Sequence, residues 1–513
     1  MNRGPGGNSP QGNRGPGGNT QGNNRGPGGN QMGNRAGGNT QGNNRGPGGN
    51  QNGNRAGGNQ MGNHNGGNQM GNRGGGNRPG GGMANRRQPV GSRQVALKNG
   101  GNATFRKNGQ VRSIQAHNMT VNRGMHGERR VMANRNGRMV VSNGRIGRNG
   151  RMVGGGYSQR AYYRNGNRVY VQRTYVYGGT TYAYAYRSYY YGGNPYYYYA
   201  PPYYYGPAYY GWAYNPWPAP VYYNWGWGGQ PWYGYYGPYY QPYPAYPYAS
   251  LWLTDFLISA SLRAAYEESA AAAAENGEVL PPQFGQESSD VIASLGSSDP
   301  LIAASLATAY GGRSYAFAGA AAAPAKAGGG TQMSNDVKQA IADQIKKEID
   351  AEKAAASNKG QAAKDEGPPP ALDPNTRYFV VSTSLDVTTS NGDECSLTQG
   401  DVIYRTEDEP DEDKMVDAVV KASKKDECAV GATVGVETND LQEMHNNLRQ
   451  QMDLGLKELA SKQGKDGIPA APDTKTTTGE VPAPTPDSNV ADDLQQTQKD
   501  AEQVETEASQ QQN

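Results

Sequence analysis

The chain has 513 residues, a net charge of only +4, and 75 glycines with 33 prolines, so about a fifth of it is Gly or Pro. Most of such a chain has too little apolar surface to offset the entropy of ordering, which argues against an ordinary multidomain enzyme. The small net charge hides a division: residues 1–254 carry 28 Lys plus Arg against one acid, Glu128, whereas residues 255–513 carry 21 against 44.

Residues 1–94 form a low-complexity arm. Units such as "NRGPGGNTQGN" and "NRAGGNQMGN" repeat, placing Arg3, Arg14, Arg25, Arg35, Arg45 and Arg55 ten or eleven residues apart. Nothing in the unit is apolar enough to stack into a solenoid core. A basic segment of this kind suits anionic surfaces, and the acidic second half also allows head-to-tail association between copies.

From 95 to 187 the pattern becomes short β-prone pieces punctuated by Asn-Gly, as in "ATFRKNGQVRSI", "MVVSNG" and "RNGNRVYVQRTYVYGGTTYAYAYR". Asn and Gly tolerate the positive φ angles of a type I′ turn, so a run of basic hairpins is predicted. Val169, Val171 and Tyr175 are expected on one face, with Arg168 and Arg173 on the other.

Residues 188–249 contain no charge, and 189–248 hold 23 tyrosines and five of the six tryptophans. Pro and Gly interrupt every few positions, which predicts turn-rich or polyproline-like backbone with rings splayed outward as a contact surface.

A helix is predicted over 250–275, with Leu253, Leu257, Ile258, Leu262 and Ala265 at helical spacing. Its apolar run contains Asp255 and is too short to span a bilayer, so it reads as an amphipathic helix packing on protein. An Ala/Gly/Ser-rich linker follows over 276–334. A second amphipathic helix is predicted over 335–357, where Val337, Ile341, Ile345 and Ile349 form an i, i+4 stripe. Residues 358–375 read as another linker.

Residues 376–438 read as a small β domain of four or five strands. An amphipathic helix over 439–463 then carries Leu441, Met444, Leu448, Met452 and Leu459 on one face. Residues 464–513, rich in Pro, Thr, Gln and acid, read as a disordered acidic tail.

"SLTQGDVIYR" at 396–405 resembles the diverging-turn segment of SH3-like barrels, and "GATVGVETNDLQEM" at 431–444 resembles their last strand and closing helical turn. The resemblance covers about 65 residues and implies a small closed barrel. It lacks the aromatic groove and tryptophan of peptide-binding members. The wider layout is "KNGQVRSIQAHNMTVNRGMHGERRV" at 107–131, then "YYGWAYNPWPAPVYYNWGWGG" and "LWLTDFLISASLRAAYEE". It resembles a group of uncharacterised Tyr/Gly-rich, secreted or envelope-associated proteins of soil bacteria. That resemblance implies an extracytoplasmic setting and supplies no activity.

The overall expectation is a mostly disordered, low-complexity chain with short β-hairpins in the middle, isolated helices, and a small SH3-like barrel followed by a helix. Cys395 and Cys428, the only cysteines, fall in the β domain and are expected to form a disulfide, which favours an oxidising compartment. No apolar export segment follows Met1, which favours the cytosol instead. His64, His117, His126 and His445 are isolated from one another and from carboxylate clusters, so no metal site is expected, and His445 reads as exposed on its helix. Phosphate-loop and serine-nucleophile motifs are missing, so neither a cofactor nor a catalytic residue is assigned.

One constellation carries an interaction mechanism. Arg160, Arg164, Arg168, Arg173 and Arg187 can pair with phosphate or carboxylate. With Tyr196, Tyr197, Tyr198, Tyr199, Tyr203, Tyr204, Tyr205, Trp225 and Trp227 they form the candidate contact set. The expected function is a non-enzymatic extracytoplasmic interaction or structural protein, binding an anionic envelope or matrix polymer or itself. The alternative is a cytosolic nucleic-acid-associated protein using the basic half.

Overall fold

The basic region and the start of the tyrosine-rich stretch fold back on themselves as consecutive strands. In a computed structural model that describes residues 88–98, 100–146, 152–177, 180–275, 331–358, 367–425 and 427–511, this region is one antiparallel ten-stranded meander. The chain separates into two units, Met1–Gly76 and Asn77–Asn513, and every described residue lies in the second. The repeat arm up to residue 87 and most of the 276–334 linker lie outside the described residues, as do residues 359–366 of the second linker.

The meander strands are β1 (Arg93–Ala96), β2 (Asn102–Phe105), β3 (Val111–Ala116), β4 (Met119–Arg123) and β5 (Arg129–Arg135). They continue as β6 (Arg138–Ile146), β7 (Met152–Asn165), β8 (Arg168–Tyr177), β9 (Thr180–Tyr191) and β10 (Asn194–Ala200). His117 and Asn118, at φ +53° and +58°, make the β3–β4 turn, and Asn136 and Gly137, at +50° and +75°, make the β5–β6 turn. Both central residues are left-handed, as a type I′ turn requires. Asn143-Gly144 does not turn. It stays inside β6, paired with Gly155 and Gly154 of β7 and, at Asn143, with Arg130 of β5, because ladder pairing overrides a local turn preference.

Most rings after β9 do not splay outward. β11 (Tyr203–Tyr205) pairs antiparallel with β18 (Thr476–Thr478). Helices α1 (Pro207–Tyr214) and α2 (Pro231–Tyr236) each begin on a proline, which lacks only an amide hydrogen that the first turn leaves unpaired anyway. Tyr209, Tyr210, Trp217, Trp227, Trp232 and Tyr240 join one core with α3 (Ala249–Glu275), α4 (Asn335–Ser357) and α5 (Thr438–Lys462). Tyrosine serves as core filler here because each buried hydroxyl needs only one partner. The Tyr209 hydroxyl donates to the Leu456 carbonyl at 2.5 Å and that of Tyr239 to the Gly400 carbonyl at 3.0 Å.

Residues 251–263 of α3 are buried on every side, so this helix is enclosed rather than amphipathic. Gly455 permits the crossing of α5 over it, since a Cβ there would collide with Leu253.

The second sheet has six strands: β12 (Tyr378–Val380), β13 (Leu385–Thr389), β14 (Glu394–Leu397), β15 (Val402–Arg405), β16 (Met415–Ala422) and β17 (Thr433–Glu437). Their order is β12-β15-β16-β17-β13-β14, leaving β12 and β14 as edges. The SH3-like expectation is therefore corrected: the barrel does not close. Its edges are covered by the rest of the chain instead, β12 by α4 and α5, and β14 by Arg106 and Arg112 reaching Glu394. A disulfide joins Cys395 in β14 to Cys428 in the β16–β17 connection.

The acidic tail is also corrected. After β18, residues Val490–Gln510 form α6, whose Val490, Leu494, Ala501, Val504 and Ala508 lie against the meander. Gly156 of β7 permits this approach, because a Cβ there would stand 2.6 Å from the Leu494 Cδ2. Among the described residues two large sheets and their helices dominate, which overturns the expectation of a mostly disordered chain.

Candidate functional site

The candidate contact residues do not converge on an open surface. Alternation along β8 puts Arg173 on the same face as Val171 and Tyr175, not opposite them, and this face looks toward α5. Arg173 is 1% exposed. Its guanidinium donates two bonds to Glu443 at 2.6 and 2.9 Å and a third to the Gln159 Oε1 at 2.8 Å. It lies 4.1, 4.7 and 5.4 Å from the ring centroids of Tyr186, Tyr157 and Tyr197. Burial of the cation is opposed by Glu443 and the surrounding tyrosines, and Arg173 is held well above its ordinary value. Burial pushes the Tyr157 hydroxyl up to about 12, with Arg173 pulling it partly back.

The other candidate arginines are less enclosed. Arg168 lies 3.6 Å from Glu480, and Arg160 lies 3.8 Å from Asp487. Arg187 stacks over Tyr198 and is lowered first by burial and then by Arg168. Arg164, at the end of β7, is exposed.

Tyr196 shares a hydrogen bond with Thr438, and Tyr198 stacks on Tyr189 with centroids 5.4 Å apart. Asn446 of α5 clamps the β10 backbone, donating to the Tyr197 carbonyl at 2.8 Å and accepting from the Tyr199 amide at 3.0 Å. Tyr203 packs edge-on to Tyr205, and Tyr204 and Tyr205 are buried. Trp225 stacks between Trp227 and Trp252, with centroids 4.9 and 4.8 Å away. Rings remaining at the surface are Tyr163, Tyr190, Tyr191 and Tyr222, the most exposed being Tyr190 at 71% and Tyr222 at 80%.

The sequence reading missed the partners of the meander's cations. Arg106 bonds Asp386 and Glu394, each at 2.7 Å, and Arg112 bonds Glu394 at 2.9 Å. Arg130 bonds Asp440 at 2.6 Å. On the opposite face Arg123 and Arg129 reach Glu505 at 3.0 and 3.2 Å, Arg135 pairs with Asp500, and Arg138 lies 2.8 Å from Asp487. Among the described residues, most meander arginines are thus paired with acids of the second half of the same chain, hundreds of residues away in sequence.

It also missed a buried polar network between α4 and α5. His445 is 6% exposed, not a surface residue, because α5 is packed on several sides. Its Nε2 lies 3.0 Å from Glu348, which also accepts from Arg449 at 3.0 Å. Burial pushes Glu348 up, but His445, Arg449 and Gln344 outweigh it and hold the carboxyl at about 2. Arg449 also bonds Glu352 at 2.6 Å. Asp453 next to this pair is pushed well above its usual range by burial and by the neighbouring Glu352 carboxylate.

Asp255 organises the ring-dense region. It accepts from the Tyr240 and Tyr246 hydroxyls at 2.5 Å each and from the Tyr243 amide at 2.7 Å, while Trp225 donates to Tyr246 at 2.6 Å. Nearby, a pocket of about 450 Å³ is lined by Pro242, Tyr243, Pro244, Met333 and Lys338 among others. Lys338 closes one wall, donating to the Gln241 carbonyl at 2.7 Å with its ammonium 3.9 Å from the Tyr243 ring centre.

Among the described residues no group of three or more His, Cys, Asp or Glu is placed to hold a metal ion, and no helix is long and apolar enough to cross a membrane. No family model matches this chain, and neither a curated protein nor a solved structure matches it.

Proposed function

We propose that this protein is a non-enzymatic, extracytoplasmic binding and structural protein: a disulfide-fixed body joined to a cationic segment that holds an anionic envelope or matrix polymer. The observation that carries the reading is the pairing of the meander's arginines with acids of the same chain. Those cations are spent on the fold, whereas residues 1–87 contain ten arginines and no acid. Neutralising polymer charge with such a segment releases counterions, which makes binding salt-dependent without demanding a shaped pocket.

The disulfide favours an oxidising compartment. Buried rings such as Tyr196, Tyr199, Tyr205 and Trp227 stabilise the body, leaving ring contacts between molecules to Tyr163, Tyr190, Tyr191 and Tyr222.

The test replaces all ten arginines of residues 1–87 by glutamine in the full chain and measures binding to alginate and to single-stranded RNA across a salt series. The reading expects wild-type binding to alginate that weakens with salt and is abolished in the variant. Equal alginate binding by both proteins overturns it, and wild-type binding to RNA alone moves the function to nucleic acid.

A further inference from the structure

Asp401 and Lys424 meet in the dry interior at one end of the second sheet. Asp401 closes the turn from Thr398 that leads into β15, and Lys424 lies two residues beyond β16, whose Ala422 pairs with Val402. Their side chains are 1% and 0% exposed, and Lys424 Nζ stands 3.5 Å from Asp401 Oδ1. The ring-dense region and α3 cover the place. The Tyr239 hydroxyl donates to the Gly400 carbonyl at 3.0 Å, Leu262 of α3 would stand 2.9 Å from a Cβ at Gly400, and the Tyr236 ring centre lies 5.9 Å from Lys424 Nζ. An ion pair held there forfeits the hydration of both ions.

The donors around this carboxyl divide its two oxygens. Oδ1 accepts from the Lys424 amide at 2.9 Å, whereas Oδ2 accepts from the Thr398 amide at 2.8 Å and the Thr398 hydroxyl at 3.1 Å. The same hydroxyl accepts a hydrogen bond from Lys424 Nζ. Thr398 therefore connects the ammonium to Oδ2 as a proton relay, while Oδ1 keeps a fixed donor of its own. Burial lowers the Lys424 ammonium to about 8, with Asp401 pulling it partly back, which eases loss of its proton.

The geometry points to an intramolecular amide between Lys424 Nζ and Asp401 Cγ, formed by the folded chain itself with release of one water. A proton passes from the ammonium through the Thr398 hydroxyl to Oδ2, leaving a neutral amine beside a neutral carboxyl. Nζ attacks Cγ, and the charge that develops on Oδ1 is held by the Lys424 amide. Oδ2 then leaves as water, taking a second proton from Nζ through Thr398, and the carbonyl is restored at Oδ1. Of the three ammonium hydrogens one stays on nitrogen and two depart in the water, so no oxidant, cofactor or external acid is consumed. Fixed contact between amine and carboxyl supplies the proximity that free molecules lack, and exclusion of water opposes the reverse hydrolysis. The bond fastens the start of β15 to the end of β16, separately from the disulfide between Cys395 and Cys428. It depends neither on polymer binding by residues 1–87 nor on the compartment.

Peptide mapping of the full wild-type chain tests it. The protein is purified folded, then denatured, reduced, alkylated and digested with trypsin. Mass spectrometry is expected to find a branched peptide joining residues 378–405 to residues 422–425, lighter by one water than the two together and uncut after Lys424. Recovery of residues 378–405 only as a linear peptide of full mass, with cleavage after Lys424, overturns the inference. Lys424→Gln removes the amine and is expected to release the linear peptide at full mass. Loss of water from residues 378–405 in that variant would place the dehydration within Asp401's own segment and overturn the inference as well. The wild-type map decides the matter whether or not the variant folds.

Discussion

The Arg173 guanidinium of β8 and the Glu443 carboxylate of α5 face each other through two hydrogen bonds of 2.6 and 2.9 Å, inside a ring of tyrosines and 270 residues apart in the chain. This bidentate pair joins the basic meander to the acidic helix that follows the second sheet. Removing one partner leaves a buried charge, so Glu443→Gln is expected to cost about 3–5 kcal/mol in urea unfolding. Replacing both, as Arg173→Met with Glu443→Met, is expected to recover most of that loss. A double-mutant cycle measures the coupling.

Asp453 gives a pH-dependent prediction. Its carboxyl is pushed well above the ordinary aspartate range by burial and by the Glu352 carboxylate, so the folded state takes up a proton at higher pH than the unfolded state does. This group's contribution is fully favourable below the unfolded value and is lost as pH rises above it. Asp453→Asn imitates the protonated side chain. It is expected to raise stability by roughly 1–3 kcal/mol at pH 7 and to change it little at pH 3, read from thermal melts at the two pH values.

The Cys395–Cys428 bond closes a loop with a sequence separation of 33. On the chain-entropy account this contributes about 3–4 kcal/mol. Cys395→Ser with Cys428→Ser, or reduction of the wild type, should lower the denaturation midpoint accordingly, and wild type and variant should converge in dithiothreitol.

A Cβ at Gly156 would collide with the Val141 carbonyl of β6 and stand 2.6 Å from the Leu494 Cδ2, so both the β6–β7 pairing and the approach of α6 depend on this glycine. Gly156→Val is expected to cost about 1–3 kcal/mol through overpacking. The accompanying sign is faster hydrogen exchange over residues 490–510 and over the β6–β7 pair than over β3–β4.

Some of this architecture is legible in the sequence, for physical reasons. The stripe of Val337, Ile341, Ile345 and Ile349 reads as a helix because α4 has distinct buried and exposed faces. Turns at Asn136-Gly137 read as hairpins because left-handed backbone restricts residue choice. By contrast, Tyr209, Trp227 and Tyr240 enter a core without any regular period, since prolines and glycines break the chain into short turns. The Tyr209 and Tyr240 hydroxyls find their partners, the Leu456 carbonyl and Asp255, only in the folded chain. Helix α6 was hidden by its thin stripe of Ala501 and Ala508 within a polar tail. The arginine pairings escaped notice because Arg129 and Glu505 are 376 residues apart, and local pattern carries no trace of a contact that distant.

Arginine footprinting of the full chain with phenylglyoxal, mapped by mass spectrometry in low salt, tests the central claim that most of the described meander arginines are consumed within the fold. Arg164, exposed at the end of β7, is expected to react early, while Arg106, Arg129 and Arg173 remain protected until the protein is unfolded. Modification of Arg129 and Arg173 at the rate of Arg164 in the folded protein would contradict the account.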